Sequence, residues 1–240
     1  MSLPTPMRLP EFRELPRLLR GEPGFLRSWI SRPSWRSPAA SLSFILLGAG
    51  AFGAAIGAWH APLQALYSGI KLPLVLLATA AANGLINGLL APLLGLDLRL
   101  RESLAAVLAS FAVCAAILGA LAPVLLFLTW NSPPLGTPGA GTAHSFILLS
   151  CVTALGVSGL WGNLRLYQTL KSVAGPDAGC ALRVVIAWIG TNLFLGSQIS
   201  WILRPFVGSP GLAIEFIRPD ALQGSFYESV FRSLRNLLGV

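Results

Sequence analysis

Charge is what this sequence has least of. Only 11% of its 240 residues are Asp, Glu, Lys or Arg, against about a quarter in an ordinary soluble domain. That leaves too little polar surface to cover a water-soluble body. Lysine is nearly missing, with two positions against fifteen arginines. With the many Ala, Leu and Gly residues, this suggests a GC-rich, bacterial source. The three cysteines, Cys114, Cys151 and Cys180, are far apart and form neither a CxxC nor a Cys/His pair at metal spacing. No metal site is expected from them, and the reading they support is buried free thiols packed as small apolar groups. A P-loop, HExxH, GxSxG and a carboxylate pair are all missing from the sequence. Those are the signals by which common phosphate-binding and hydrolytic chemistries are recognised, so the expectation is a protein that is not an enzyme and needs no cofactor. The first long apolar run starts only near Ser41, so no cleavable signal peptide is expected.

What the chain has is long apolar runs. Hydrophobic residues make up 54% of it, and its mean hydropathy is +0.70. Five runs stand out, at about residues 41–59, 72–96, 103–130, 145–164 and 184–203. Each has roughly the 20 residues that a helix needs to cross hydrocarbon. None carries an acid or base in its middle, which argues against an ion-coupled pump. Pro123 lies in the third run and predicts a tilt or kink there. The expected fold is all-α, a polytopic transmembrane helical bundle of about five spans with an amphipathic C-terminal helix. Three parts follow: an Arg- and Pro-rich juxtamembrane segment (1–40), the five-helix membrane domain (41–203), and an exit loop with the C-terminal helix (204–240).

The net charge of +8 sits mainly outside the runs. Arg8, Arg13, Arg17, Arg20, Arg27, Arg32 and Arg36 precede the first one. Arg99 and Arg101 follow the second, and Arg165, Lys171 and Arg183 flank the gap between the fourth and fifth. The alternate connections, residues 60–71 and 131–144, hold one lysine between them. This alternation follows the positive-inside rule. It places the N-terminus in the cytoplasm of a bacterial inner membrane and the C-terminus outside. Arg204, Arg218, Arg232 and Arg235 then lie outside, against the rule. Read this way, the basic segment is a topology signal and a contact for anionic lipid, not a nucleic-acid-binding patch. Arg13, Arg17, Arg20, Trp29 and Trp35 are its expected lipid or partner contacts.

Small and polar residues within the runs supply the other candidates. Gly53 and Gly57, and Gly84 and Gly88, are spaced four apart, which lets helix backbones approach closely. They suit either packing inside the monomer or a dimer face. Asn83, Asn87, Asn192, Gln198 and Ser200 are costly in hydrocarbon unless paired. They are expected to face the interior, as interhelical hydrogen bonds or as the lining of a cavity. His60 and His144 sit at span ends, on the same predicted side. Arg204 opens the stretch Arg204-Pro205-Phe206-Val207-Gly208-Ser209-Pro210-Gly211, whose prolines and glycines predict a rigid folded exit and whose arginine is a candidate anion contact. Ser225 and Glu228 have capping-box spacing. They open a helix whose Phe226, Val230, Phe231, Leu234, Leu237 and Leu238 share one face.

The stretch Tyr67-Ser68-Gly69-Ile70-Lys71-Leu72-Pro73, and the small-residue-rich runs across residues 61–128, resemble the Ypt-interacting-protein (Yip) family. That resemblance implies a cytoplasmic N-terminal segment, five spans, a short far-side C-terminus and a non-enzymatic role. Eukaryotic members act in vesicle traffic with small GTPases. That role is not carried over to a short, proline-rich N-terminus, and the exit loop falls outside the likeness. The function expected from sequence is a non-catalytic membrane scaffold or accessory subunit, with lipids and other membrane subunits or itself as partners. The alternative is a protein that transports or handles a lipid or small molecule in a polar intramembrane cavity.

Overall fold

The computed structural model describes residues 14–31, 36–96, 98–174 and 178–239. Arg13 and Trp35 lie outside the described residues. In chain order the helices are α1 (Leu15–Arg20), α2 (Pro23–Ser31), α3 (Arg36–Phe44), α4 (Gly50–Gly57), α5 (Pro62–Leu93), α6 (Leu100–Trp130), α7 (Ala140–Ala174), α8 (Ala178–Ile202) and α9 (Phe226–Leu238). A π-helical turn, Ile45–Ala49, joins α3 to α4. Among the described residues, five segments are long and apolar enough to cross a membrane: Ser37–Gly57, Pro62–Leu93, Leu100–Trp130, Ala140–Ser172 and Gly179–Ile202.

All five are longer than the apolar runs, and two of them, the second and fourth, extend well past theirs. The connection expected at residues 60–71 is mostly helix, because α5 starts at Pro62. Proline fits the first helical turn, where its missing N–H has no partner to lose. Lys71 therefore sits inside a 32-residue helix, not in a loop. The helix thus carries a base near its start, while its middle stays free of charge, as expected. In the same way α7 continues past residue 164, so Arg165 and Lys171 ride on its last turns. α6 starts where the Glu102 carboxylate accepts the Arg99 N–H at 3.2 Å, and it runs on through Pro123.

Glycine sets how closely the helices cross. A Cβ at Gly53 or Gly57 of α4 would collide with the backbone of Ser68 or Gln64 of α5. At Gly84 and Gly88 the space belongs to Leu104 and Leu100 of α6. Both glycine pairs are thus filled within the monomer. A third crossing was not legible as a spacing motif. Gly48, in the π-helical turn, packs on the Ala115 carbonyl, and Gly119 of α6 packs on Gly48 itself. Phe52, Ile56, Ala112, Ala115, Leu118, Ile147 and Trp188 fill the core around these crossings.

The juxtamembrane part is docked. Leu18, Phe25, Trp29 and Ile30 are buried, and α2 packs on α6 and α7. Trp29, expected at a lipid or partner contact, is only 2% exposed and stacks near Phe25. Its amphipathic face turns to the bundle because the prolines break the segment into pieces short enough to fold back. Arg17 pairs with Glu22 at 3.0 Å and lies over the Phe25 ring. Arg20 and Arg27 remain exposed.

Adding one methyl should separate the two kinds of glycine. Gly53→Ala, against backbone, should lose about 1–3 kcal/mol of stability. Gly156→Ala, on α7 with open space around it, should be neutral or gain up to about 1 kcal/mol from helix propensity. Thermal unfolding in detergent reads both.

Candidate functional site

α5 carries a polar stripe at its start. Gln64, Ser68 and Lys71 follow the i, i+4, i+7 rhythm of one helical face, and each is fully buried. The chain leaving α8 lies against this stripe. Gln64 donates to the Pro205 carbonyl at 2.9 Å and the Phe206 carbonyl at 3.2 Å. Ser68 donates to the Phe206 carbonyl as well. The Lys71 ammonium donates to the Pro205 and Glu215 carbonyls at 3.0 and 3.4 Å. It also lies 5.1 Å from the Phe216 ring centre. Among the described residues no carboxylate pairs with it. A buried lysine normally requires a partner. Here carbonyl dipoles and an aromatic face stand in for one. Gly208 closes this contact. Its φ of +83° suits glycine, and the His60 ring occupies the space a Cβ would need.

Arg204 holds the other half of the loop. Its guanidinium donates to the carbonyls of Trp201, Asp220, Ala221 and Gln223. It pairs with the Asp220 carboxylate at 3.1 Å and stacks 3.8 Å over the Trp201 ring. These bonds engage both terminal nitrogens, so the anion contact proposed from sequence gives way to a structural role. The Trp201 indole N–H donates to the Gln223 carbonyl at 2.8 Å.

α9 then crosses the bundle beside α7 and α8. The Ser225 hydroxyl accepts the Glu228 N–H at 3.3 Å, as the sequence spacing predicts, and Glu228 pairs with Arg232 at 3.0 Å. Tyr227, Phe231, Leu234 and Leu238 are exposed together on one arc, while Ser233 is buried. Glu228, Arg232 and Arg235 occupy another arc. A helix with one flank on protein, one apolar arc and one charged arc fits the membrane–water boundary.

Beneath the loop and α9, the upper parts of α7 and α8 leave a cavity of about 960 Å³. It is partly open. Leu148, Leu155 and Leu160 of α7, with Ile189 and Leu193 of α8, supply much of its apolar wall. Gly141, Gly156, Gly159 and Gly196 line it too, and a Cβ at the first three would meet nothing within 4 Å. From Gly141 to Asn163 the wall follows α7 for roughly 33 Å at the helical rise, close to the thickness of the hydrocarbon core. Polar groups are sparse along it, and two buried ones, Thr79 Oγ1 and Asn163 Oδ1, have no partner. At its α9 end stand His144 and Arg218.

The chain matches no protein-family model, no curated protein and no solved structure.

The structure brings together part of the polar set predicted from sequence. Asn83 of α5 donates to Asn192 of α8, joining the two helices. Asn192 and Ser200 line the cavity, whereas Gln198 points to the exposed surface of α8. Asn87 sits on α5 one turn from Asn83, and its side chain lies outside the described residues. Sequence reasoning missed Gln64, Ser68, Lys71 and Arg218. The 64/68/71 rhythm was available as a signal, but it was hidden once that stretch was taken for a loop.

Replacing Arg204 by alanine leaves several carbonyls without their donor and should destabilise the loop by about 2 kcal/mol or more. Arg204→Lys should not rescue it, because one ammonium lacks the planar fork. Limited proteolysis reads this as new cleavage between residues 204 and 225, with the five spans intact.

Proposed function

We propose that this protein is a non-enzymatic membrane protein that holds a long-chain amphiphile between α7 and α8. The observation that carries the reading is the bilayer-length cavity, with its mainly apolar walls and its charged groups gathered at one end. Ligand sites typically enclose about 300–1,000 Å³, and this one is at the upper end of that range. A lipid tail satisfies apolar walls, and a headgroup satisfies the polar end. The exposed glycines on α7 keep the floor of the groove low enough to admit a chain. The charge alternation along the sequence supports a cytoplasmic N-terminus, which puts the headgroup end on the outer face of a bacterial inner membrane.

The scaffold reading would use small-residue faces for a partner. Gly53, Gly57, Gly84 and Gly88 are already covered by this chain's own helices, which moves the weight to lipid handling. No group in the groove supplies a recognisable nucleophile with its base, and the reading assigns it binding without chemistry.

The test is purification in mild detergent followed by extraction and mass spectrometry of bound lipid. The wild-type protein should retain about one amphiphile per chain. A Cβ at Gly156 or Gly159 meets nothing within 4 Å, so Gly156→Leu combined with Gly159→Leu places its bulk in the groove and should fold as well as wild type and lose the lipid. A lipid-free wild-type protein, or one accompanied by a stoichiometric protein subunit instead, would overturn the reading.

A further inference from the structure

The charges around the groove's α9 end do not balance, and the imbalance names the headgroup. Two acids line the cavity there, Asp220 and Glu228. Each is already paired within the chain, Asp220 with Arg204 at 3.1 Å and Glu228 with Arg232 at 3.0 Å. Arg218 lines the same end and donates to a neutral group, the Ser209 hydroxyl, at 2.8 Å. Lys71 and His144 both lie close enough to feel its charge. Glu215 is three residues away in sequence, yet among the described residues no cation lies within ion-pairing distance of its carboxylate. The buried Lys71 ammonium, within electrostatic reach of Arg218, raises the local positive potential further, since charges in low dielectric are weakly screened.

We infer that Arg218, with His144 and the Ser209 hydroxyl beside it, binds the anionic headgroup of the lipid whose tail occupies the groove. This rests on the lipid-binding reading above and sharpens it to one chemical class: a lipid with a net negative headgroup bearing a phosphate or carboxylate. A guanidinium presents paired N–H donors that match such an anion. One donor is held by Ser209, which fixes the orientation of the fork and leaves other N–H groups for the ligand. A zwitterionic headgroup carries its own cation into the same positive field and is disfavoured.

The experiment uses the full chain in nanodiscs holding equal amounts of phosphatidylglycerol and phosphatidylcholine, with the lipid retained after delipidation counted by mass spectrometry. Wild type should favour phosphatidylglycerol by about tenfold or more, the scale of a charge-assisted hydrogen bond. Arg218→Gln should retain as much total lipid with the preference near unity, and Arg218→Lys should keep part of it. Equal retention of both lipids by wild type would overturn the headgroup assignment while leaving the groove reading intact. No retained lipid would overturn both. A preference unchanged in Arg218→Gln would remove Arg218 from the site. Stabilisation of lipid-free protein by inorganic phosphate, lost in Arg218→Gln, would assign the site to a soluble anion and overturn the lipid.

Discussion

The carbonyl groups of Pro205 and Phe206 leave α8 at a point where water is scarce, and α5 supplies the donors they need. Gln64, Ser68 and Lys71 meet them across more than 130 residues of chain. An unsatisfied buried carbonyl costs roughly 1–3 kcal/mol, so this contact fixes where the exit loop can lie. Everything after it depends on that position. Arg204 gathers the later carbonyls of the loop, the loop turns the chain back, and α9 starts where Ser225 caps it. With its exit held on α5, α8 packs against both α5 and α7. The groove is what remains open between α7 and α8.

That dependence explains an otherwise costly residue. Lysine at a fully buried position is penalised by desolvation, and membrane interiors make the penalty larger. Here the ammonium is a cross-link between α5 and two distant carbonyls, with the Tyr67 and Phe216 rings around it. Its position near the start of a 32-residue helix keeps it toward the bilayer boundary, where the penalty is smallest. It also contributes to the positive field around Arg218, so one residue serves both the loop's architecture and the groove's electrostatics.

The number of spans was legible because it depends on local properties, length and hydropathy, which a run of sequence carries by itself. The C-terminal amphipathic helix was legible for the same reason, with Ser225 and Glu228 at their expected offset. Partnerships between distant segments were not. Lys71 reads as a loop residue on hydropathy alone, because its partners lie 134 and 144 residues further on. Trp29 reads as an interfacial anchor because amphipathic segments have the same pattern whether they lie on lipid or on protein. Arg204 reads as an anion contact until its neighbours' carbonyls are placed around it. Asn83 and Asn192 were recognised as residues needing partners, and only the fold shows that they are partners to each other.

A photo-reactive benzophenone side chain in place of Gly159 tests the central claim in intact membranes, before any detergent reaches the groove. Irradiation should join the α7 wall to lipid, detected as a lipid-mass adduct on the peptide that contains residue 159. Cross-links confined to α8 of the same chain, or to a second protein, would mean that the gap is closed or filled by polypeptide. Either result would contradict the account.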